Sequence, residues 1–216
     1  MYLVRPPFLL KSFYPELLWR VNTREKVVYL TFDDGPHPEI TPWVLDQLKA
    51  ADAKALFFCV GENVEKYPDI YARILAEGHQ TGNHTYNHLN GWNSDSRKYL
   101  KNLVRCAQVV NSRFFRPPYG RVKKSQSALI RKQFQIVMWD VLSGDFDAAT
   151  TPEECLDQTL RSTREGSVVV FHDSAKAKVN LTYTLPRYLQ QMKNNGYRMN
   201  AFISLPPPAN RPSSSR

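Results

Sequence analysis

Val27-Val28-Tyr29-Leu30-Thr31-Phe32 is an unbroken run of β-branched, aromatic and aliphatic residues, and it stops at Asp33-Asp34-Gly35-Pro36. A run without polar alternation reads as a strand buried on both faces, which is the pattern of a parallel sheet covered by helices. Similar runs recur at Ala55 to Val60, Phe114 to Arg116, Ile136 to Val141, Val168 to Phe171 and Tyr197 to Ile203. Between them, 3.6-residue spacing predicts helices over Thr41 to Ala51, Pro68 to Glu77, Asp95 to Ser112, Ser125 to Gln133, Pro152 to Arg164 and Thr184 to Asn195. Thr41-Pro42 and Thr151-Pro152 read as N-cap and first-turn pairs, and Gly78, Gly166 and Gly196 as helix stops. Strand and helix alternate along the chain, so the expected fold class is α/β with a mainly parallel sheet, open or closed as a barrel.

The 216 residues are 42% hydrophobic and 23% charged, which suits one folded domain and excludes a disordered chain. The longest apolar run, Ala55 to Val60, is far short of the roughly 18 residues that span a bilayer. Residues 1–21 carry Arg5, Pro6, Pro7, Lys11, Pro15, Glu16 and Arg20, unlike a secretory signal, so the expected location is cytoplasmic or peripheral to a membrane. The expected division is an extension over 1–25 packing on or beside the barrel, a catalytic domain over 26–205 and a loose Pro/Ser tail over 206–216. Cys59, Cys106 and Cys155 are odd in number and widely spaced, and read as small buried hydrophobes.

Net charge is +9, unevenly spread: between Arg97 and Lys132 there are eleven Lys or Arg and no Asp or Glu. Such a stretch suits an anionic polymer, an anionic membrane surface or an ordinary solvated helix face. Nucleic acid is disfavoured because aromatics are not interleaved with the cations, Tyr99 being the main one before Phe114.

Polar residues stand where a parallel sheet exposes them, just after strands. Asp33 and Asp34 are adjacent carboxylates that require a cation or a proton, or else form a common Asp-Asp-Gly-Pro turn. His84 and His88, four apart, share a face if the chain from Thr85 is helical, and two imidazoles with one carboxylate leave open positions on a metal. Arg116-Pro117-Pro118-Tyr119-Gly120 fixes an unusual backbone path able to aim an N–H at an oxyanion. His172 ends an apolar strand, and Asp145 is placed to orient it.

Thr31-Phe32-Asp33-Asp34-Gly35, His84-Thr85-x-x-His88, Arg116-x-Pro118-Tyr119-Gly120, the segment at Asp145 and Val168-x-Val170-x-His172 together resemble the five ordered motifs of the polysaccharide deacetylase family, also called the NodB homology domain or carbohydrate esterase family 4. The resemblance implies a distorted (β/α) barrel with about seven strands and metal-dependent removal of an acyl group from a sugar, most often the N-acetyl of N-acetylglucosamine. It implies Asp34, His84 and His88 as ligands of one divalent metal, zinc first, with cobalt, nickel or manganese as alternatives. It further implies Asp33 as general base paired with Arg116, Tyr119 as oxyanion donor through its N–H, and His172 as general acid held by Asp145. Pro118, Tyr119, Trp139, Phe146 and Val170 would line the substrate; Phe146 stands where the family usually has Trp, and Val168 and Val170 where it usually has Leu. The implied partner is an acetylated glycan, and Arg121, Lys123 and Lys124 beside the third motif suit one that carries negative charge. The rival readings are a metal-independent cyclic-amide hydrolase, which would lack the metal trio, and a catalytically silent glycan-binding module.

Overall fold

Strand β1 (Val27–Asp33) is buried at every residue, as its sequence requires, and parallel neighbours flank it on both sides. The computed structural model of the chain describes residues 3–202. Its other strands are β2 (Ala55–Cys59), β3 (Gln80–Asn83), β4 (Phe114–Phe115), β5 (Gln135–Ile136), β6 (Val141–Leu142), β7 (Val168–His172) and β8 (Arg198–Met199). Its helices are α1 (Phe8–Phe13), α2 (Ile40–Ala50), α3 (Gly61–Lys66), α4 (Pro68–Ala76), α5 (Ser96–Ala107), α6 (Lys124–Ile130), α7 (Pro152–Ser162) and α8 (Lys178–Asn194). Seven parallel strands in the order β5-β4-β3-β2-β1-β7-β6 curl into an incomplete barrel, and β8 pairs with the start of β1.

Alternation along β1 and β7 sorts the two faces. Val28, Leu30, Phe32, Val169 and Phe171 point outward and pack with Val44, Leu45 and Leu48 of α2 and Leu181, Leu185 and Tyr188 of α8. Val27, Tyr29 and Val168 point inward, with Leu56, Phe58, Phe114 and Phe202. Thr31, Asp33, Val170 and His172 continue that inner face, and Asp33 is the register partner of His172. The strand period therefore delivers a carboxylate and an imidazole side by side at the barrel mouth.

Three expectations are corrected. The strand over Ile136 to Val141 is two short strands, β5 and β6, because the chain turns between them. The Val137 and Met138 carbonyls accept bonds from the Arg116 guanidinium, and the Asp140 N–H donates to Val168 O at the start of β7. Helix α2 begins at Ile40 rather than being capped by Thr41, whose hydroxyl is occupied elsewhere. The strand over Tyr197 to Ile203 shortens to Arg198–Met199, and Ile203 and the 206–216 tail lie outside the described residues. Cys59, Cys106 and Cys155 are free and buried, as expected.

The segment before β1 is woven into the wall of the barrel. Leu18 lies parallel to Val137 beyond β5, while Arg20 pairs with Ser167 beside β7, and Leu17, Trp19 and Val21 are buried. Asp140, wholly buried, accepts Lys11 Nζ at 2.6 Å, Ser167 Oγ at 2.9 Å and Arg164 Nε at 3.3 Å. Burial opposes its charge, but these partners hold its carboxyl below the ordinary Asp value. Asp140→Ala is expected to cost about 1–3 kcal/mol of stability, read as a lower Tm. Because the folded pKa is depressed, the contribution is present above the unfolded value of about 3.9 and fades as pH falls below it. An unchanged Tm at neutral pH would show that the cluster does not anchor the segment.

Candidate active site

Three chain reversals bring the polar residues together above the inner face of the sheet. The first follows β1. Asp34 takes a left-handed backbone (φ 83°), and its carbonyl accepts Asn63 Nδ2 at 2.8 Å. Gly35 comes next because a side chain cannot fit there: a Cβ would stand 2.0 Å from an Asp173 carboxylate oxygen. Instead Gly35 N–H donates to Asp173 Oδ1 at 3.1 Å, Thr41 Oγ1 donates to Asp173 Oδ2, and Asp173 N–H donates to Asp33 O. Asp173 is thus a buried clasp on the Asp33-Asp34 turn. Burial lifts its carboxyl to about 7 against the Thr41 bond. Sequence reading missed it because its partners Gly35 and Thr41 lie 138 and 132 positions away along the chain.

The second reversal carries His84 and His88, and it is not a helix as the spacing suggested. Thr85 (φ 63°) and His88 (φ 56°) are left-handed, which breaks any helical path. Side chains shape this loop: Asn83 Oδ1 accepts Thr85 N–H, Thr85 Oγ1 accepts Leu89 N–H, and Asn102 Oδ1 on α5 accepts Tyr86 N–H. The rings still converge, 5.0 Å between centroids. Asp34 Oδ1 lies 3.2 Å from His88 Nε2 and 3.7 Å from His84 Nε2.

The Asp34, His84 and His88 donor atoms all lie within 4.8 Å of one another. His84 Nδ1 donates to Arg116 O at 2.8 Å, which leaves Nε2 facing Asp34. Burial pulls the His84 imidazole down to about 4 despite Asp33, so the ring is neutral at physiological pH. Burial opposes the Asp34 charge, but the His88 hydrogen bond and the nearby His172 and His84 hold its carboxyl well below the usual range. A neutral imidazole with its lone pair turned inward and an ionised carboxylate form the donor set of a catalytic divalent-metal site with open positions.

The third reversal follows β4. Arg116 is fully buried, and each guanidinium nitrogen is satisfied: Nη1 donates to Asp33 Oδ1 and Thr31 Oγ1, both at 2.7 Å, Nε to Val137 O and Nη2 to Met138 O. Its plane also lies 4.2 Å from the Phe58 ring centre. Pro118 is buried, and Tyr119 is left-handed (φ 59°) with its ring 4.6 Å from that of His88. The Trp139 ring packs so close that a Cβ on Gly120 would meet it at 2.5 Å. Opposite, His172 Nδ1 lies 2.7 Å from Asp145 Oδ1, and its N–H donates to Asp145 Oδ2 at 2.8 Å. Burial disfavours the charged ring, yet Asp145, with Asp34 and Asp33 behind it, outweighs that and lifts His172 to about 9. Phe146 meets the His172 ring edge-on at 4.9 Å, and Val170 lies below on the inner face of β7.

A cleft of about 310 Å³ opens beside this group, bounded by Asp34, His88, Asn63, Asn87 and Asp173. A larger depression of about 570 Å³ lies over the basic face of α5 at Arg97, Lys98, Lys101 and Arg105 and contains none of these residues. The convergent polar groups mark the site, and the smaller cleft opens onto its Asp34 and His88 edge. Arg121 stacks on the exposed Trp92, 5.3 Å from its ring centre, and Lys123 Nζ donates to Ser94 O.

The sequence profile described as "Polysaccharide deacetylase" matches residues 20–138. A peptidoglycan-N-acetylglucosamine deacetylase of Bacillus cereus is 36% identical over 187 residues, 83% of this chain; the chain spans 66% of that relative's length. The crystal structure of the Bc1960 peptidoglycan N-acetylglucosamine deacetylase, in complex with 4-naphthalen-1-yl-N-oxidanyl-benzamide, superposes with a TM-score of 0.84 at 32% identity, covering 92% of this chain and 96% of that one. BA3943 of Bacillus anthracis, described as a CE4 family pseudoenzyme, superposes with a TM-score of 0.75 at 26% identity, covering 91% of this chain and 70% of that one. With the five motifs gathered at one barrel mouth and these matches spanning most of its length, the chain belongs to the polysaccharide deacetylase family.

Proposed function

We propose that the chain is a divalent-metal-dependent deacetylase that hydrolyses the N-acetyl group of N-acetylglucosamine units in a glycan. The observation that carries this reading is the placement of two charge-paired groups, Asp33 with Arg116 and His172 with Asp145, on adjacent strands at one register position, beside the Asp34, His84 and His88 trio. A binding module has no need of a buried base and a protonated acid facing one another. The BA3943 relative shows that family membership alone does not decide activity, and this chain carries Asp33, Asp34, His84, His88, Arg116, Asp145 and His172 together.

When bound by Asp34, His84 and His88, a divalent cation supplies Lewis acidity toward the amide carbonyl and toward water; an oxygen and two nitrogens at this spacing suit zinc, with cobalt, nickel or manganese as alternatives. Asp33 takes the proton of the attacking water, and the Arg116 guanidinium holds the carboxylate aimed. The Tyr119 N–H, turned by its left-handed backbone, faces the developing oxyanion, a contribution commonly worth about 3 kcal/mol. His172 donates a proton to the departing amine, and Asp145 keeps its ring charged and oriented. Pro118, Tyr119, Trp139, Phe146 and Val170 wall the acyl group and sugar. The substrate is an acetylated glycan, of peptidoglycan or chitooligosaccharide type. Arg121 beside Trp92 favours one that also carries negative charge.

The test is acetate release from a chitooligosaccharide across pH. kcat/KM is expected to be bell-shaped, with the alkaline limb set by His172, which acts only while protonated and so serves up to about pH 9. Asp145→Asn removes the main group that raises that pKa, so its alkaline limb moves to lower pH. An alkaline limb unmoved by Asp145→Asn would remove His172 from the role of acid.

A further inference from the structure

We infer that α1 and the residues around it form a docking surface for an anionic lipid bilayer. The helix Phe8-Leu9-Leu10-Lys11-Ser12-Phe13 has the reverse of the usual orientation: its one charged residue faces the protein and its apolar residues face solvent. Lys11 reaches inward to Asp140 and keeps a side-chain exposure of only 20%. Leu9 and Phe13, about 160° from Lys11 around the helix at 100° per residue, are 69% and 65% exposed. Phe8 is 81%, Leu3 59% and Leu10 42% exposed, and no residue of the helix is buried. Isolated exposed hydrophobics need no explanation, but five between Leu3 and Phe13 concentrate apolar surface in one short segment, and such concentrations mark interaction surfaces.

The patch is held in place at both ends. On one side Val4 O accepts Leu142 N–H at 2.8 Å and Val4 packs against the outer core. On the other, Trp19 Nε1 donates to Tyr14 O at 3.0 Å, and Tyr14 packs with the buried Leu17 and Trp19. The structure therefore presents these side chains on an anchored loop.

Charge selects the occupant. Three cations, Arg5 at 3.5 Å, Lys11 at 2.6 Å and Arg164 at 3.3 Å, surround the single carboxylate of Asp140, so the base of the helix is net positive. Lys124 adds a further charge 5.6 Å from the Tyr14 ring centre, while Glu16 is engaged by Arg131. Apolar side chains projecting from a cationic base match the headgroup and acyl layers of an anionic leaflet. A second copy of the chain is a poorer fit. Stable protein interfaces use roughly 20–30 residues a side, many more than this patch offers, and two such surfaces would also bring like charges together.

The test is co-sedimentation of the full chain with vesicles of phosphatidylglycerol and phosphatidylcholine, compared with phosphatidylcholine alone. The chain is expected to pellet with the anionic vesicles and to be released by raised salt. The triple substitution Phe8→Ser, Leu9→Ser and Phe13→Ser touches no residue of the active site. It is expected to lower the bound fraction at least about tenfold while leaving acetate release from a soluble chitooligosaccharide unchanged. Absence of binding to anionic vesicles, or equal binding by the triple variant, would overturn the inference. So would a concentration-dependent dimer in sedimentation equilibrium that the triple substitution abolishes, since that assigns the patch to a second copy.

Discussion

Asp33→Asn is expected to lower kcat/KM for acetate release by about 10²–10⁴-fold, the usual contribution of a positioned general base, while the protein keeps one divalent metal per chain. The separation of the two readouts follows from the geometry. Asp33 does not belong to the Asp34, His84 and His88 trio, and its nearest polar partner is Arg116 at 2.7 Å. An asparagine oxygen can still accept that hydrogen bond, so the site keeps its shape and loses only the group that takes a proton. The substitution has a structural cost as well. Arg116 is fully buried, and removing its one ionic partner leaves the guanidinium with neutral acceptors alone: the asparagine oxygen, Thr31 Oγ1 and two backbone carbonyls. Breaking a buried ion pair costs about 3–5 kcal/mol of stability, and the retained hydrogen bond puts this variant at the lower end of that range. Activity is therefore compared at a temperature where circular dichroism shows the variant folded. An Asp33→Asn protein that is folded, metal-loaded and as active as the wild type would move the base elsewhere.

His84→Ala has the opposite signature, with metal and activity lost together. Outer-shell partners of metal ligands typically cost 10–100-fold in affinity when removed, and a ligand itself is expected to cost more. His84 is the most constrained of the three donors: it is buried, its Nδ1 is committed to Arg116 O, and its ring is neutral at physiological pH. In the proposed mechanism the same hydrogen bond couples metal retention to Arg116, the partner of Asp33. His88 is partly exposed and lies against Tyr119, so His88→Ala is expected to weaken the metal less than His84→Ala does. Equal metal content in wild type and His84→Ala, measured by atomic absorption, would exclude the trio as the binding site.

The pairing of Asp33 with Arg116 was implied only by the family resemblance, but the positions of Asp33 and His172 were legible in the sequence itself. They sit at the ends of strands whose apolar runs are unmistakable, and a parallel sheet carries such ends to one mouth. β1 and β7 stand where their runs predict, and register alone then sets Asp33 beside His172. What was hidden depends on contacts between distant parts of the chain. β3 has the sequence Gln-Thr-Gly-Asn and none of the apolar character of a buried strand; it fits because the Phe58 ring occupies the space that a Cβ on Gly82 would take, at 2.5 Å. The His84 and His88 spacing led to two rings that do converge, but through the wrong geometry, since the turn depends on Asn83, Thr85 and Asn102 accepting backbone N–H groups. β5 and β6 looked like one strand because Val137 and Met138 are as apolar as their neighbours, although their carbonyls serve Arg116. Helix α1 went unread because periodicity assumes that the apolar face points inward.

The central claim is that one divalent cation held by Asp34, His84 and His88 is required for N-acetyl hydrolysis. Its most direct test is a zinc titration of chelator-stripped protein, following bound metal and acetate release from a chitooligosaccharide in the same samples. The proposed function predicts that release rises in proportion to bound zinc and stops rising at one equivalent. Zinc bound to one equivalent with no acetate released, or release that proceeds in the stripped protein, would contradict it.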